Sequence, residues 1–279
     1  MSEMRIDALL PGEMAKRAEY IGVSKAEAPA LKVFFLSLLA GAFIGMGAIF
    51  ATTVSAGSAG VLPFGVAKLL AGLVFCLGLI LVIVGGAELF TGNNLIVMAW
   101  AGGKVTTTQL LRNWGIVYFG NFVGSLGTAA LLYWSKQYTF GGGAVGTTAL
   151  SIANAKVELG FMQAIALGIL CNALVCLAVW LTFSARSTID KIAAIIFPIT
   201  AFVAAGFEHS IANMYFIPIG ILIKTFDVPF TTNTGLDLTN LTWGNFLLAN
   251  LLPVTIGNII GGTVFVAAIY WLIFLRESK

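Results

Sequence analysis

The sequence predicts an all-α membrane protein whose six transmembrane helices, two of them broken, form an inverted repeat of three plus three. Three observations predict this fold: the composition, six long apolar stretches, and two short motifs that each occur twice in the same order. Of the 279 residues, 59% are hydrophobic and only 10% are charged, and the mean hydropathy is +0.97. Soluble domains carry roughly 25% charged residues, so the composition excludes water-soluble folds.

Six apolar stretches are long enough to cross a bilayer, which takes about 20 residues. They lie at 31–54, 65–102, 110–134, 159–184, 190–224 and 243–275. The second and fifth are too long for one simple span, and polar residues interrupt them at Glu88–Asn94 and Gly206–Met214. We interpret both interruptions as breaks in transmembrane helices. The connections at 55–64, 135–158 and 225–242 are predicted to be loops.

Residues 1–30 precede a single transmembrane domain at 31–275, whose two repeats cover about 31–135 and 159–275. In this first segment Leu9, Leu10, Met14, Ala18 and Ile21 recur at roughly helical spacing. That spacing predicts an amphipathic helix at the membrane surface, and a solvated leader is the alternative.

Basic residues predict the orientation, because cytoplasmic loops of membrane proteins are enriched in Lys and Arg. With six spans, both termini share one side of the membrane. That side would hold eleven basic residues: Arg5, Lys16, Arg17, Lys25, Lys32, Lys104, Arg112, Arg186, Lys191, Arg276 and Lys279. The other side would hold four: Lys68, Lys136, Lys156 and Lys224. We therefore expect both termini, and residues 1–30, in the cytoplasm.

The remaining composition gives no reason to expect a nucleic-acid partner, a metal or a cofactor. The net charge is only +3. One histidine and the three cysteines Cys76, Cys171 and Cys176, all in apolar stretches, do not form a metal-binding pattern.

The two interruptions carry the same motif, G-x-E-x4-N, at Gly86–Asn93 and Gly206–Asn213. A second motif, G-N-x-x-G, follows each break, at Gly120–Gly124 and Gly257–Gly261.

An odd number of spans separates the two copies of these motifs, so the two halves of the protein face opposite sides of the membrane. Broken helices in inverted repeats meet near the membrane midplane at the substrate site. Their N-termini favour a small anion, so the pattern predicts a transport protein.

Three of these segments resemble the formate–nitrite transporter family, and the resemblance extends over nearly the whole chain. They are Glu208–Met214, Pro253–Gly262, and Leu89–Thr91 after an acidic residue. Within the family, the segments Leu9–Pro11, Pro63–Leu69 and Leu275–Glu277 resemble the members that conduct formate.

The resemblance implies an aquaporin-like protomer in the bacterial inner membrane, assembled as a homopentamer with one pore per protomer. It implies pH-dependent passage of formate and similar small monovalent anions. Leu79 and Leu89 with Phe90 would narrow the pore on the cytoplasmic side, and Phe75 with Phe202 on the periplasmic side. The polar residues of the pore would be Thr91 and His209 in the central chamber, Asn172 and Asn258 as its wall, and Lys156 and Asn213 nearer the outer mouth.

The sequence leaves one alternative to a formate channel open and disfavours two others. Gly92-Asn93-Asn94 resembles the broader family, nitrite-conducting members included, so a nitrite or hydrosulfide channel, or a proton-coupled symporter, is the alternative. An intramembrane hydrolase using His209 with Ser210 or Glu208 is disfavoured, because adjacent residues rarely point at each other and no G-x-S-x-G or H-E-x-x-H motif is present. A water or glycerol pore is disfavoured because the paired Asn-Pro-Ala signature is missing.

His209 and Thr91 each have a structural and a functional interpretation. His209 is either an ordinary core histidine or a donor of a hydrogen bond or proton to formate, because histidine titrates near neutral pH. Thr91 is expected to cap the second half-helix, to bond His209, or to do both.

The other polar residues at the breaks are expected to be largely structural. Glu88 and Glu208, with Gly92, would stabilise the breaks: each carboxylate would accept N–H bonds from its own broken segment, and a proton relay is the alternative. Asn258 would either bond between helices or contact the substrate. Lys156 is expected to be a solvated loop lysine unless it is tucked into the pore mouth.

Overall fold

The computed structural model describes residues 8–276, and every regular element in this range is a helix. The elements are α1 (Pro11–Glu27), α2 (Ala30–Ser55), α3 (Phe64–Gly85), a 3₁₀ turn (Gly92–Ile96) that continues into α4 (Val97–Ala101), α5 (Thr107–Trp134), α6 (Ala144–Val157), α7 (Phe161–Ser184), α8 (Thr188–Ala204), α9 (Ser210–Phe226), α10 (Val228–Asn233) and α11 (Trp243–Phe274). A second 3₁₀ turn, Gln137–Thr139, precedes α6.

In the described part of the chain, five helices are long and apolar enough to cross a membrane: α2, α3, α5, α7 and α11. The fifth predicted stretch is divided between α8 and α9, which have 17 residues each and do not reach spanning length alone. The expected all-helical, membrane-type fold is confirmed, and helices coincide with all six apolar stretches.

Both predicted breaks are present, and each begins at a glycine. Gly86 ends α3 and Gly206 follows α8, and each has φ 74°, a left-handed value that is open to glycine without steric cost. Residues 87–89 and 207–209 then run without helical structure before the chain turns into the second half of each broken helix.

The prediction of a loop at 135–158 is wrong, because this connection contains the 14-residue helix α6. One face of α6 is buried and packs against α9. Three consecutive glycines, Gly141–Gly143, all have positive φ and form the turn into α6. Small residues, namely alanine, glycine, serine and threonine, fill more than half of this connection and hide the helical pattern. The connection at 225–242 likewise contains the short helix α10.

A small polar cluster anchors the chain between α5 and α6 to the end of α9. The Tyr138 hydroxyl donates to Asp227 at 2.6 Å, and Lys136 donates to the Tyr138 oxygen at 2.7 Å. The hydrogen bond from Tyr138 lowers the pKa of the Asp227 carboxyl. The carboxylate therefore stays ionised and holds this connection in place.

The N-terminal helix α1 packs on the protein. Its buried residues are Met14, Ala15, Ala18, Glu19, Gly22 and Ala26, and it contacts the Gly92–Ile96 turn, α4 and α7. Arg17 donates to the Phe183 carbonyl at 3.2 Å, and Glu19 forms an ion pair with Lys104. The face expected to lie on the membrane surface therefore covers the ends of other helices. Arg5 and Lys279, two of the basic residues counted for the orientation, lie outside the described residues. So does Glu277, the last residue of the segment Leu275–Glu277.

Glycines allow the helices to approach closely. At the contact of α3 with α8, a Cβ on Gly72 would lie 2.6 Å from the Thr200 carbonyl oxygen. On Gly168 of α7, a Cβ would lie 2.8 Å from the Val254 carbonyl of α11. Small residues at helix contacts are typical of membrane proteins, where packing stabilises helix association.

We predict that Gly72→Ala lowers the free energy of unfolding by roughly 1–3 kcal/mol, because the added methyl group meets rigid backbone and forces the two helices apart. Thermal unfolding of the detergent-solubilised protein measures the change. Gly65→Ala is the matched control, since nothing lies within 4 Å of its Cβ position in the same helix. Equal melting temperatures for the two variants would contradict the close contact.

Candidate functional site

The two breaks have the same backbone hydrogen bonds. The Glu88 amide donates to the Leu36 carbonyl at 3.2 Å, and the Glu208 amide donates to the Leu167 carbonyl at 3.3 Å. Helical hydrogen bonding resumes after each break, where the Asn93 amide donates to the Leu89 carbonyl and the Asn213 amide donates to the His209 carbonyl. Each break is thus hydrogen-bonded to a neighbouring helix, α2 or α7, at an equivalent position.

Asn121 and Asn258 bond further backbone groups of the breaks. Asn121 accepts from the Phe90 amide at 2.9 Å and donates to the Ser37 and Glu88 carbonyls at 2.7 and 2.9 Å. Asn258 accepts from the Ser210 amide and donates to the Gly168 and Glu208 carbonyls, each at 2.9 Å. Both asparagines therefore bond between helices, which was one of the two interpretations of Asn258.

The carboxylates at the breaks are paired with lysines. Lys25 and Lys156 donate to Glu88 and Glu208, each at 2.7 Å. The second oxygen of each carboxylate accepts from the amide of Asn93 at 2.7 Å or Asn213 at 2.6 Å. The expectation that these carboxylates accept backbone N–H bonds is wrong, because their partners are side chains.

Lys156 is not the solvated loop lysine that was expected. It lies at the C-terminal end of α6, its side chain is 15% exposed, and its ammonium group lies 5.5 Å from the centre of the Phe216 ring. The helix that the sequence analysis missed is what brings Lys156 to Glu208. Lys156 therefore sits inside the mouth of a cavity and not at the protein surface.

Three members of these clusters were not recognised in the sequence: Lys25, Asn113 and Asn250. Asn113 accepts from Asn93 at 2.9 Å and donates to the Lys25 carbonyl at 3.0 Å. Asn250, in a π-helical segment of α11, accepts from Asn213 at 2.7 Å and donates to the Lys156 carbonyl at 2.8 Å.

The spacing of these residues was a usable signal. Asn113 precedes Asn121 by the same number of residues as Asn250 precedes Asn258. The carbonyls of Leu36 and Leu167 accept the hydrogen bonds from the amides at the two breaks. Lys25 precedes Leu36 by the same number of residues as Lys156 precedes Leu167.

His209 and Thr91 form a buried pair that joins the two breaks. Thr91 Oγ1 lies 3.0 Å from His209 Nε2, and both residues are buried. His209 Nδ1 accepts from the Ala212 amide at 3.0 Å and so caps α9. Because Nδ1 is an acceptor, a neutral ring carries its proton on Nε2 and donates to Thr91. Thr91 bonds His209 as expected but makes no capping bond of its own.

Two cavities approach this pair from opposite sides. The Lys25 cavity, of about 280 Å³, is lined by Lys25, Leu79, Leu89, Gly92 and other residues of α1, α3 and α7. The Lys156 cavity, of about 990 Å³, is lined by Phe75, Lys156, Phe202, His209, Asn213 and other residues of α2, α3 and α6. The Phe75 and Phe202 rings meet edge to face with centroids 5.6 Å apart.

Four residues expected at the pore line neither cavity: Phe90, Thr91, Asn172 and Asn258. Phe90 packs edge-on against Tyr118, with ring centroids 4.9 Å apart. Asn172 donates to the Thr91 and Asn258 carbonyls at 3.3 and 2.7 Å. Asn172 and Asn258 thus link helices around the Thr91–His209 pair. They were expected to form a polar wall of the pore, but their side chains line neither cavity.

Comparison with known proteins identifies the family. A family model described as "Formate/nitrite transporter" matches residues 12–272. This chain belongs to the formate/nitrite transporter family. It is 49% identical to "Formate channel FocA" of Escherichia coli (strain K12), over 98% of this chain and 96% of that protein. It is 44% identical to "Formate channel FocA" of Haemophilus influenzae, over 92% of each chain.

Solved structures agree with this assignment. The chain is similar to a "Pentameric formate channel with formate bound", with a TM-score of 0.83, 48% identity, and coverage of 88% of this chain and 98% of that one. It is also similar to an "FNT family ion channel", with a TM-score of 0.80, 29% identity, and coverage of 93% and 98%. These matches confirm the predicted family. The proteins are channels and transporters, which sets the intramembrane hydrolase aside.

We predict that Glu208→Gln lowers the free energy of unfolding by roughly 3–5 kcal/mol, because it leaves the largely buried Lys156 ammonium without its counter-charge. The double variant Lys156→Met with Glu208→Gln should recover part of that loss. Glu88→Gln should cost less, since the side chains of Lys25 and Glu88 are 27% and 10% exposed, against 15% and 6% for Lys156 and Glu208.

Thermal unfolding in detergent micelles, analysed as a double-mutant cycle for each pair, gives the two coupling energies. If both pairs had the same small coupling energy, the greater burial of the Lys156–Glu208 pair would not strengthen its contribution to stability.

Proposed function

We propose that this protein is a channel for formate and similar small monovalent anions in the bacterial inner membrane. The observation that carries the proposal is the buried Thr91–His209 pair, which lies between two cavities that each contain a lysine. The similarity to formate channels along almost the full chain supports the same substrate. We also propose a homopentamer, because a pentameric formate channel is a close structural neighbour.

In this mechanism a carboxylate reaches the dry centre of the protein and exchanges water for protein donors. The His209 Nε2–H group and the Thr91 hydroxyl are the two donors at that point. A bare anion is costly to move through such a region, so passage is easier when the substrate accepts a hydrogen bond or a proton there. Low pH would favour the neutral acid and therefore increase its passage.

Apolar side chains close the path on both sides of the pair. Phe75 and Phe202 form the constriction facing the Lys156 cavity, and Leu79 and Leu89 form the one facing the Lys25 cavity. Hydrophobic constrictions of this kind exclude water until a ligand or a motion opens them. Phe90 supports the second constriction from behind, through its contacts with Trp114 and Tyr118.

The lysines draw anions to each mouth, and their paired glutamates limit how tightly the anion is held. Each cavity has more basic than acidic residues in its lining: Arg17, Lys25 and Lys191 with Glu88 in one, and Lys68 and Lys156 with Glu208 in the other. An excess of positive charge concentrates anions. Because Lys25 and Lys156 already bond Glu88 and Glu208, an arriving anion meets a neutralised pair. It can therefore move on instead of being trapped.

The matched hydrogen bonds support an aquaporin-like inverted repeat of six spans, in which α8 and α9 together form one span. The repeat units we propose include the surface helices, so α1 with Lys25 corresponds to α6 with Lys156. The units are then about 11–134 and 144–274, which are longer than the 31–135 and 159–275 expected from the sequence.

We predict that proteoliposomes containing this protein take up formate faster than nitrite or hydrosulfide, and faster at pH 5.5 than at pH 7.5. His209→Asn should reduce uptake about tenfold or more and remove its pH dependence, because asparagine keeps a cap for α9 but lacks the imidazole donor. Thr91→Val should reduce uptake without changing the pH profile.

Lys16→Gln is the control, because Lys16 is exposed and lines neither cavity. Full uptake by His209→Asn with an unchanged pH response would exclude the role given to His209. Faster nitrite uptake would favour the alternative suggested by Gly92-Asn93-Asn94. A lack of any passage would refute the channel.

We also propose that both termini are cytoplasmic. Arg17 and Lys25 of α1 line the smaller cavity, while Lys68 and Lys156 line the larger one. Members of the two predicted groups of basic residues thus line different cavities, which supports this orientation. The end of α11 contacts α1, which supports the proposal that both ends of the described chain lie on one side of the membrane.

In a variant without the native cysteines, Lys136→Cys should react with a membrane-impermeant maleimide added to intact spheroplasts. Lys16→Cys should react only after permeabilisation. Both positions are exposed, so accessibility of the side chain does not differ. Labelling of position 16 alone in intact cells would reverse the proposed orientation.

A further inference from the structure

We propose that the Lys156 cavity binds aromatic monocarboxylates at Lys68, and that these ligands block the pore from that side without crossing it. The inference extends the proposed function, and the blocking step rests on it. The binding step does not, since it depends only on the shape and charge of the cavity.

Lys68 lies on the face of α3 that forms the pore. The residues of α3 that line the two cavities include Lys68, Ala71 and Phe75 on one side and Leu79 and Val82 on the other. Residues at this spacing share one helix face. With a rise of about 1.5 Å per residue, Lys68 is about 10 Å along the helix axis from the Phe75 constriction.

The Lys68 ammonium is the uncompensated charge of this cavity. Among residues 8–276 it has no hydrogen-bond or ion-pair partner, and it lies 5.5 Å from the centre of the Phe64 ring. Lys156, the other lysine of the cavity, is bonded to Glu208 at 2.7 Å. An anion entering the cavity therefore finds an available positive charge at Lys68.

The walls around Lys68 favour a ligand with a flat apolar body. The aromatic residues lining the cavity are Phe64, Phe75, Phe202, Phe207 and Phe216. A mostly apolar cavity with few charged groups is typical of sites for small organic molecules. The volume of about 990 Å³ is far more than formate needs.

The same walls prevent such a ligand from passing. The Phe75 and Phe202 rings are in direct contact at the end of the cavity, with centroids 5.6 Å apart. A benzene ring is as large as either of these side chains, so it cannot replace the contact without displacing both. Formate has no ring and requires a much smaller opening. An aromatic acid thus occupies the mouth and stops there.

Benzoate is the probe for the binding step. Isothermal titration of the purified full-length protein should detect benzoate binding to wild type and to Lys68→Arg, and binding about tenfold weaker or more to Lys68→Gln, because one charge-assisted hydrogen bond is lost. Lys16→Gln, which removes an exposed charge elsewhere, should bind like wild type. Equal affinity of Lys68→Gln and wild type would overturn the site and would mean that Lys68 only extends toward the membrane surface.

The blocking step is measured separately in proteoliposomes of known orientation. Benzoate added on the Lys68 side should inhibit formate uptake by wild type and Lys68→Arg, but not by Lys68→Gln, and labelled benzoate should not accumulate inside. Accumulation of benzoate would overturn the block. If benzoate binds through Lys68 but formate passes through no variant, the site is correct and the channel function is wrong.

Discussion

The structure depends on one constraint: a helix interrupted in apolar surroundings must still find partners for its backbone groups. Each unpaired N–H or C=O in such surroundings costs several kcal/mol. Asn121 and Asn258 meet this requirement, each with one accepted and two donated bonds to backbone. The glycine before each asparagine, Gly120 or Gly257, lets its helix approach the neighbouring span closely, because a Cβ there would clash with Ser37 or Ile165. In the G-N-x-x-G motif, the glycine thus allows close helix packing and the asparagine bonds the backbone of the break.

The second layer of interactions ties the surface helices to the pore. A lysine from α1 or α6 neutralises the carboxylate of each break, and an asparagine from α5 or α11 holds both the lysine backbone and the break. A movement of either surface helix would therefore change the electrostatics of one cavity. The pairs differ in burial, so the Lys156–Glu208 pair is the more shielded from solvent.

Local patterns predicted the apolar stretches, the two breaks and the family, because hydropathy and short motifs are properties of neighbouring residues. Contacts between distant segments were not predicted. Lys25 and Lys156 reach glutamates far along the chain, and nothing in their own surroundings marks them. The sequence of α6 is rich in small residues, which suit its packing against α9 and look like loop residues. Thr91 is a common capping residue, yet its hydroxyl bonds His209 while the histidine performs the capping.

The double role of His209 has a consequence for ion leakage. Relay of protons along a hydrogen-bonded chain requires an imidazole to take up a proton on one nitrogen and release it from the other. At His209 the second nitrogen is occupied by the Ala212 amide, which cannot accept a proton. Any proton that Nε2 gives to a passing anion must therefore be regained on the same side of the ring. The imidazole of His209 therefore cannot pass protons from one nitrogen to the other along a hydrogen-bonded chain.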